Sequence, residues 1–72
     1  MCAQRTIQLE VNGKPVTAPD QIPIPEFLRS QELDPAKIVV EWNGRAQTRE
    51  EAARIRLSEG DRLEVVRLVA GG

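Results

Sequence analysis

Two Asn-Gly pairs, Asn12-Gly13 and Asn43-Gly44, constrain this chain most, because each closes an alternating apolar run. Residues 6–11, TIQLEV, place Ile7, Leu9 and Val11 on one side and Gln8 and Glu10 on the other, the period of a half-buried strand. Asn-Gly after such a run is the favoured type I′ hairpin turn, whose two central residues both need positive φ. Residues 15–18 are therefore expected to return antiparallel. Pro15 suits the start of an edge strand, where its missing N–H costs little. Ile38, Val40 and Trp42 alternate with Val39 and Glu41 ahead of the second pair, so another strand leads into another turn.

Between these strands, Pro19, Pro23 and Pro25 punctuate a loop, after which Ile24, Phe27 and Leu28 fall at helical spacing. The spacing predicts a short helix over about 24–32, with Pro25 tolerated in its first turn and one narrow apolar stripe that Leu33 extends. Asp34-Pro35 marks a turn. Thr48 and Glu51 fit a capping box, which predicts a single helical turn over 49–53. Residues 58–61, SEGD, form a tight turn, and 62–69 form a closing strand with Leu63 and Val65 inward. The order is strand, strand, helix, strand, short helical turn, strand. A crossover helix of this length allows the last strand to lie parallel beside the first. The arrangement is α+β, a β-grasp with a mixed sheet of four or five strands and one main helix on one face. The expected core is Ile7, Leu9, Val11, Val16, Phe27, Leu28, Leu33, Ile38, Val40, Trp42, Leu57, Leu63 and Val65.

At 72 residues the chain supports one domain, 1–72, near the lower size limit for folding without disulfides or metal. Its 29% charged residues carry both signs along the chain and sum to −1, so no basic stripe suggests nucleic acid. The single cysteine, Cys2, cannot form an intrachain disulfide and reads as a free, incidental thiol in a reducing compartment. With no histidine and one cysteine, a zinc site lacks ligands and His-based acid–base chemistry is excluded. No apolar run reaches the roughly 20 residues of a membrane span and no signal-peptide pattern opens the chain, so a cytoplasmic protein is expected. Asp20, Glu26 and Asp34 are solvated loop and helix-end carboxylates rather than an acid–base pair. No Ser-His-Asp or Cys-His constellation and no phosphate-binding glycine loop is present, so the chain is not expected to be an enzyme in its own right.

The run VVRLVAGG instead points to the C-terminus. Glycine makes up about 7% of residues in proteins, so a chance Gly71-Gly72 end arises roughly once in two hundred chains. A terminal carboxylate, with a pKa of about 3.3–3.7, is ionised at neutral pH and is a nucleophile toward an activated phosphate. Without Cβ atoms the glycines can thread a narrow active site. A strand followed by a flexible tail, 70–72, would give the reactive end of Gly72 a rigid mount and a mobile tip. Val66 and Leu68 alternate with Leu63 and Val65 and are expected on the other sheet face, beside Val69 and Ala70. If Val39 joins them there, the patch is a candidate docking surface for a partner that handles the tail.

Over residues 7–72 the chain resembles the sulfur carrier proteins of thiamine biosynthesis, the ThiS family of ubiquitin-like proteins. The carrying segments are IQLEVNGK, IPEFL with Leu33 following, VVEWNG, Arg49 and EGDRLEVVRLVAGG, in that order and spacing. The resemblance implies that Gly72 is adenylated by an ATP-using, ThiF-like adenylyltransferase, and that sulfur relayed through a cysteine persulfide converts it to a thiocarboxylate. A ThiG-like thiazole synthase would consume this product to build the thiazole ring. ATP and any metal chemistry belong to the partners, and the chain binds no cofactor itself.

The sequence departs from the family pattern at two places. Ala46-Gln47-Thr48 stands where members often carry two bulky apolar residues and a proline, and Trp42 is expected to fill the volume that Ala46 leaves. Glu32 stands where glycine is often found, so the helix is expected to end differently. Three alternatives remain at this level. They are the small subunit of molybdopterin synthase, whose Phe/Pro-rich stretch before the tail is missing here, a carrier for tRNA thiolation, and a non-covalent β-grasp interaction module, which would not need a free Gly-Gly end.

Overall fold

A computed structural model describes residues 5–68. The tail glycines Gly71 and Gly72, together with Val69, Ala70 and Cys2, lie outside the described residues.

Thr6–Val11 forms β1 and Lys14–Pro19 forms β2, paired antiparallel with Val11 opposite Lys14. The turn between them has Asn12 at φ 51° and Gly13 at φ 83°, as a type I′ turn requires. Ile24–Ser30 forms α1, with Pro25 in its first turn, and a single 3-10 turn follows at Pro35–Lys37, where the Asp34 carboxylate accepts from the Ala36 N–H at 3.0 Å. Ile38–Trp42 forms β3, Arg45–Gln47 forms β4, Arg49–Ala53 forms α2 and Arg62–Arg67 forms β5. The second Asn-Gly pair makes the β3–β4 turn with the same signs of φ, Asn43 at 50° and Gly44 at 87°. The capping box of α2 is complete: Thr48 Oγ1 accepts from the Glu51 N–H at 3.0 Å, and Glu51 Oε1 accepts from the Thr48 N–H at 2.9 Å.

The five strands make one mixed sheet in the order β2-β1-β5-β3-β4. The last strand is central, parallel to β1 and antiparallel to β3. Alternation assigns Ile7, Leu9, Val40, Leu63 and the half-buried Val11, Val16, Ile38, Trp42 and Val65 to one face, where Ile24, Phe27 and Leu28 of α1 cover them. The expected core is therefore present, with Ala18, Ile24 and Ala52 buried in addition and Ile22 and Ile55 packed at its margin. Ile24 belongs to the apolar stripe expected of the helix, whereas Ala18, Ala52, Ile22 and Ile55 were not singled out from sequence, because alanine gives a weak hydrophobic signal and the two isoleucines stand among prolines and arginines. Residues 55–57 run extended beside 21–24 and close the core from below, with the Leu57 N–H donating to Ile22 O at 2.9 Å and the Gln21 N–H to Leu57 O at 2.9 Å.

The closing strand, expected over 62–69, ends at Arg67 with Leu68 outside it, and two further expectations change. The helix stops at Ser30, two residues early, because Glu32 takes the left-handed conformation, φ 61°, and the Leu33 N–H folds back to Leu28 O at 2.9 Å while the Glu32 N–H reaches Arg29 O at 2.9 Å. This is the Schellman closure, with glutamate where glycine is usual. Trp42 does not fill space left by Ala46. Ala46 pairs with Glu41 and so lies on the opposite face, whereas Trp42 pairs with Arg45 on the core side. The indole is instead anchored by Nε1, which donates to Asp61 Oδ2 at 3.1 Å.

Candidate functional site

The strand that precedes the tail is fixed more firmly than its neighbours' backbones alone would fix it. The parallel ladder to β1 is short, Glu10 opposite Arg62 and Val11 opposite Leu63, because β1 turns away at Asn12. The Asn12 side chain continues the ladder: Oδ1 accepts from the Val65 N–H at 2.8 Å and Nδ2 donates to Val65 O at 3.4 Å. On the other flank, the Asn43 N–H donates to Arg62 O at 2.8 Å and Asn43 Oδ1 accepts from the Arg62 N–H at 2.9 Å. Asp61 ties the start of β5 down, accepting from the Ser58 N–H at 2.8 Å, from Trp42 Nε1, and from Asn43 Nδ2 at 3.3 Å. Both turn asparagines thus do two things: they adopt positive φ, and their side-chain amides stand in for backbone beside the central strand. The dipeptide pattern identified only the first, because the second depends on partners up to 53 residues away.

The far end of β5 is held by β3, with Arg67 opposite Ile38 and the Leu68 N–H donating to Lys37 O at 2.8 Å. Leu68 is the last described residue, four positions before Gly72. A groove beside this end is lined by Leu33, Asp34, Lys37, Ile38 and Arg67, with Glu32 and Leu68 at its margin.

The other sheet face carries no covering element among the described residues. Val39 and Val66 are directly paired on it, and Leu68 continues the same phase. These are the exposed large apolar residues of the described chain, at 38%, 58% and 55% of full exposure. The structure thus brings together three of the five residues proposed from sequence as a docking surface, while Val69 and Ala70 lie beyond the described range. Two residues further along the strands, as the next pair on the same face, Glu41 lies opposite Glu64, and both are exposed. At the next step Arg62 reaches Glu10 on β1, Nε to Oε2 at 3.8 Å, an exposed pair that contributes little to stability. The paired glutamates were not singled out from sequence, since only the β3–β5 register sets residues 41 and 64 side by side. No helix among the described residues is long and apolar enough to cross a membrane.

No curated protein matches the sequence. Among solved structures, the crystal structure of the thiamine biosynthesis protein ThiS from Geobacter metallireducens is similar at a TM-score of 0.79 and 29% identity, covering 92% of this chain and 100% of that one. A computationally designed protein based on the template of human erythrocytic ubiquitin is similar at a TM-score of 0.54 and 20% identity, covering 93% of this chain and 95% of the other, and speaks for the β-grasp fold alone. The family model for ThiS matches residues 6–72, from the first strand through both terminal glycines. The chain belongs to the ThiS family.

Proposed function

We propose that this protein is a sulfur carrier for thiazole formation in thiamine biosynthesis, a co-substrate rather than an enzyme. The observation that carries this reading is the family match, which runs through the Gly71-Gly72 end. Its likeness to a thiamine biosynthesis protein over the whole of that protein's length supports this pathway over molybdopterin synthesis or tRNA thiolation.

In the proposed cycle a ThiF-like adenylyltransferase binds ATP, and the Gly72 carboxylate attacks the α-phosphorus. A new P–O bond forms and pyrophosphate leaves. The terminal sulfur of a cysteine persulfide then attacks the acyl carbon, and AMP departs. A thiol supplies the two electrons that cleave the resulting S–S bond, leaving a thiocarboxylate on Gly72. A ThiG-like synthase takes that sulfur. What the carrier contributes is presentation. Asn12, Asn43 and Asp61 hold β5 in the middle of the sheet, and four residues beyond Leu68 span at most about 14 Å, so a partner gripping Val39, Val66 and Leu68 holds the carboxyl end within reach of its nucleotide. Glycine can adopt backbone angles that other residues resist in a narrow channel.

Intact-mass measurement tests the proposal. After incubation with ATP, the adenylyltransferase and a persulfide donor, the protein should gain the difference between one sulfur and one oxygen atom, localised to Gly72. An unchanged mass with an active partner would refute it.

A further inference from the structure

We propose that Glu41 and Glu64 form a two-carboxylate seat for an arginine side chain of the activating partner, beside the apolar patch of Val39, Val66 and Leu68; this deepens the sulfur-carrier reading and rests on it. The two glutamates occupy directly opposed positions on antiparallel strands. Their Cβ atoms are therefore about 4.5–5.5 Å apart, and like charges so placed destabilise a sheet. The ion pair formed among the described residues is Arg62 with Glu10, so neither Glu41 nor Glu64 has its charge balanced by a described cation within 4 Å. The sheet gains nothing from this pair, whereas a partner does. A guanidinium set across both carboxylates receives hydrogen bonds to two acceptors and removes their mutual repulsion.

Position points the same way. Val39–Val66 and Glu41–Glu64 are successive pairs on the same open face, so an apolar contact and a charged one share one footprint. The footprint lies on the strand that leads to the tail, with Leu68 at its tailward edge. An apolar patch alone would accept many surfaces, but one bordered by two carboxylates selects a partner with a cation at a fixed distance from an apolar wedge. A second copy of the chain is the wrong occupant. An isologous pairing of this face would bring four carboxylates into one desolvated interface.

The test measures binding of the full chain to the purified ThiF-like adenylyltransferase of the same organism at several salt concentrations. Glu41→Gln with Glu64→Gln should weaken binding by about tenfold or more and flatten its salt dependence. The double variant should melt at or above the temperature of the parent, because the repulsion is gone, which separates lost binding from lost folding. Glu41→Asp with Glu64→Asp should retain the salt dependence. Val66→Asp should weaken binding without flattening it. The proposal is overturned if the double Gln variant binds within about twofold of the parent, if it weakens with an unchanged salt slope, or if sedimentation shows the parent dimerising through Val66. In those three cases sulfur transfer to Gly72 still proceeds and the carrier reading stands. A parent chain that is neither bound nor modified overturns both.

Discussion

Glu32 holds a left-handed backbone at φ 61° to close α1, a conformation that costs an L-residue about 1–2 kcal/mol relative to the right-handed form. Glycine has no such penalty, although it loses more entropy on folding. Glu32→Gly should therefore stabilise the protein by about 1 kcal/mol, raising the melting temperature by about 4–8 °C for a domain of this size, measurable by thermal denaturation. The sequence identified this position as a departure from the family pattern, and what it could not supply was the response. The chain keeps the left-handed closure and accepts the strain, so that Leu33 can fold back onto Leu28 at the edge of the core. Asp61 shows the opposite limit. Its three acceptor contacts come from Trp42, Asn43 and Ser58, and only the assembled fold brings those donors together.

Among the elements, β4 and α2 show how a weak sequence signal is rescued by its surroundings. Ala46 and Gln47 have little strand preference, yet β4 forms because the type I′ turn at Asn43-Gly44 sets its register and the Thr48 capping box starts α2 directly after it. The hairpins and the capping box were legible because their chemistry is local. The face on which each residue of β4 falls was not. Gln47 pairs with Val40 on the core side and borders a cavity of about 30 Å³ lined also by Leu28, Ile38 and Ala52. Gln47→Val should bury apolar surface there and raise stability by about 0.5–1 kcal/mol in urea denaturation. Ala46→Val, on the open face opposite Glu41, should stay within about 0.5 kcal/mol of the parent. Equal effects from the two changes would contradict the assignment of faces.

For the whole molecule, stability and reactivity are separated along the chain. Folding rests on the core and on the clamps around β5, all within the described residues, whereas the proposed chemistry belongs to Gly72. One alanine added after Gly72 should abolish adenylation, followed by intact mass, while the melting temperature stays the same. The strand order supplies a second consequence. The hairpins β1–β2 and β3–β4 are joined in the sheet only through β5, the last strand in chain order. A fragment ending at Asp61 should lack cooperative unfolding by circular dichroism, since neither hairpin is stable alone. Translation imposes the same condition on the cell. A nascent chain emerging from the ribosome has no complete sheet until its final strand is out, so premature termination anywhere before Arg62 yields a chain for proteolysis, not a folded carrier with a defective end.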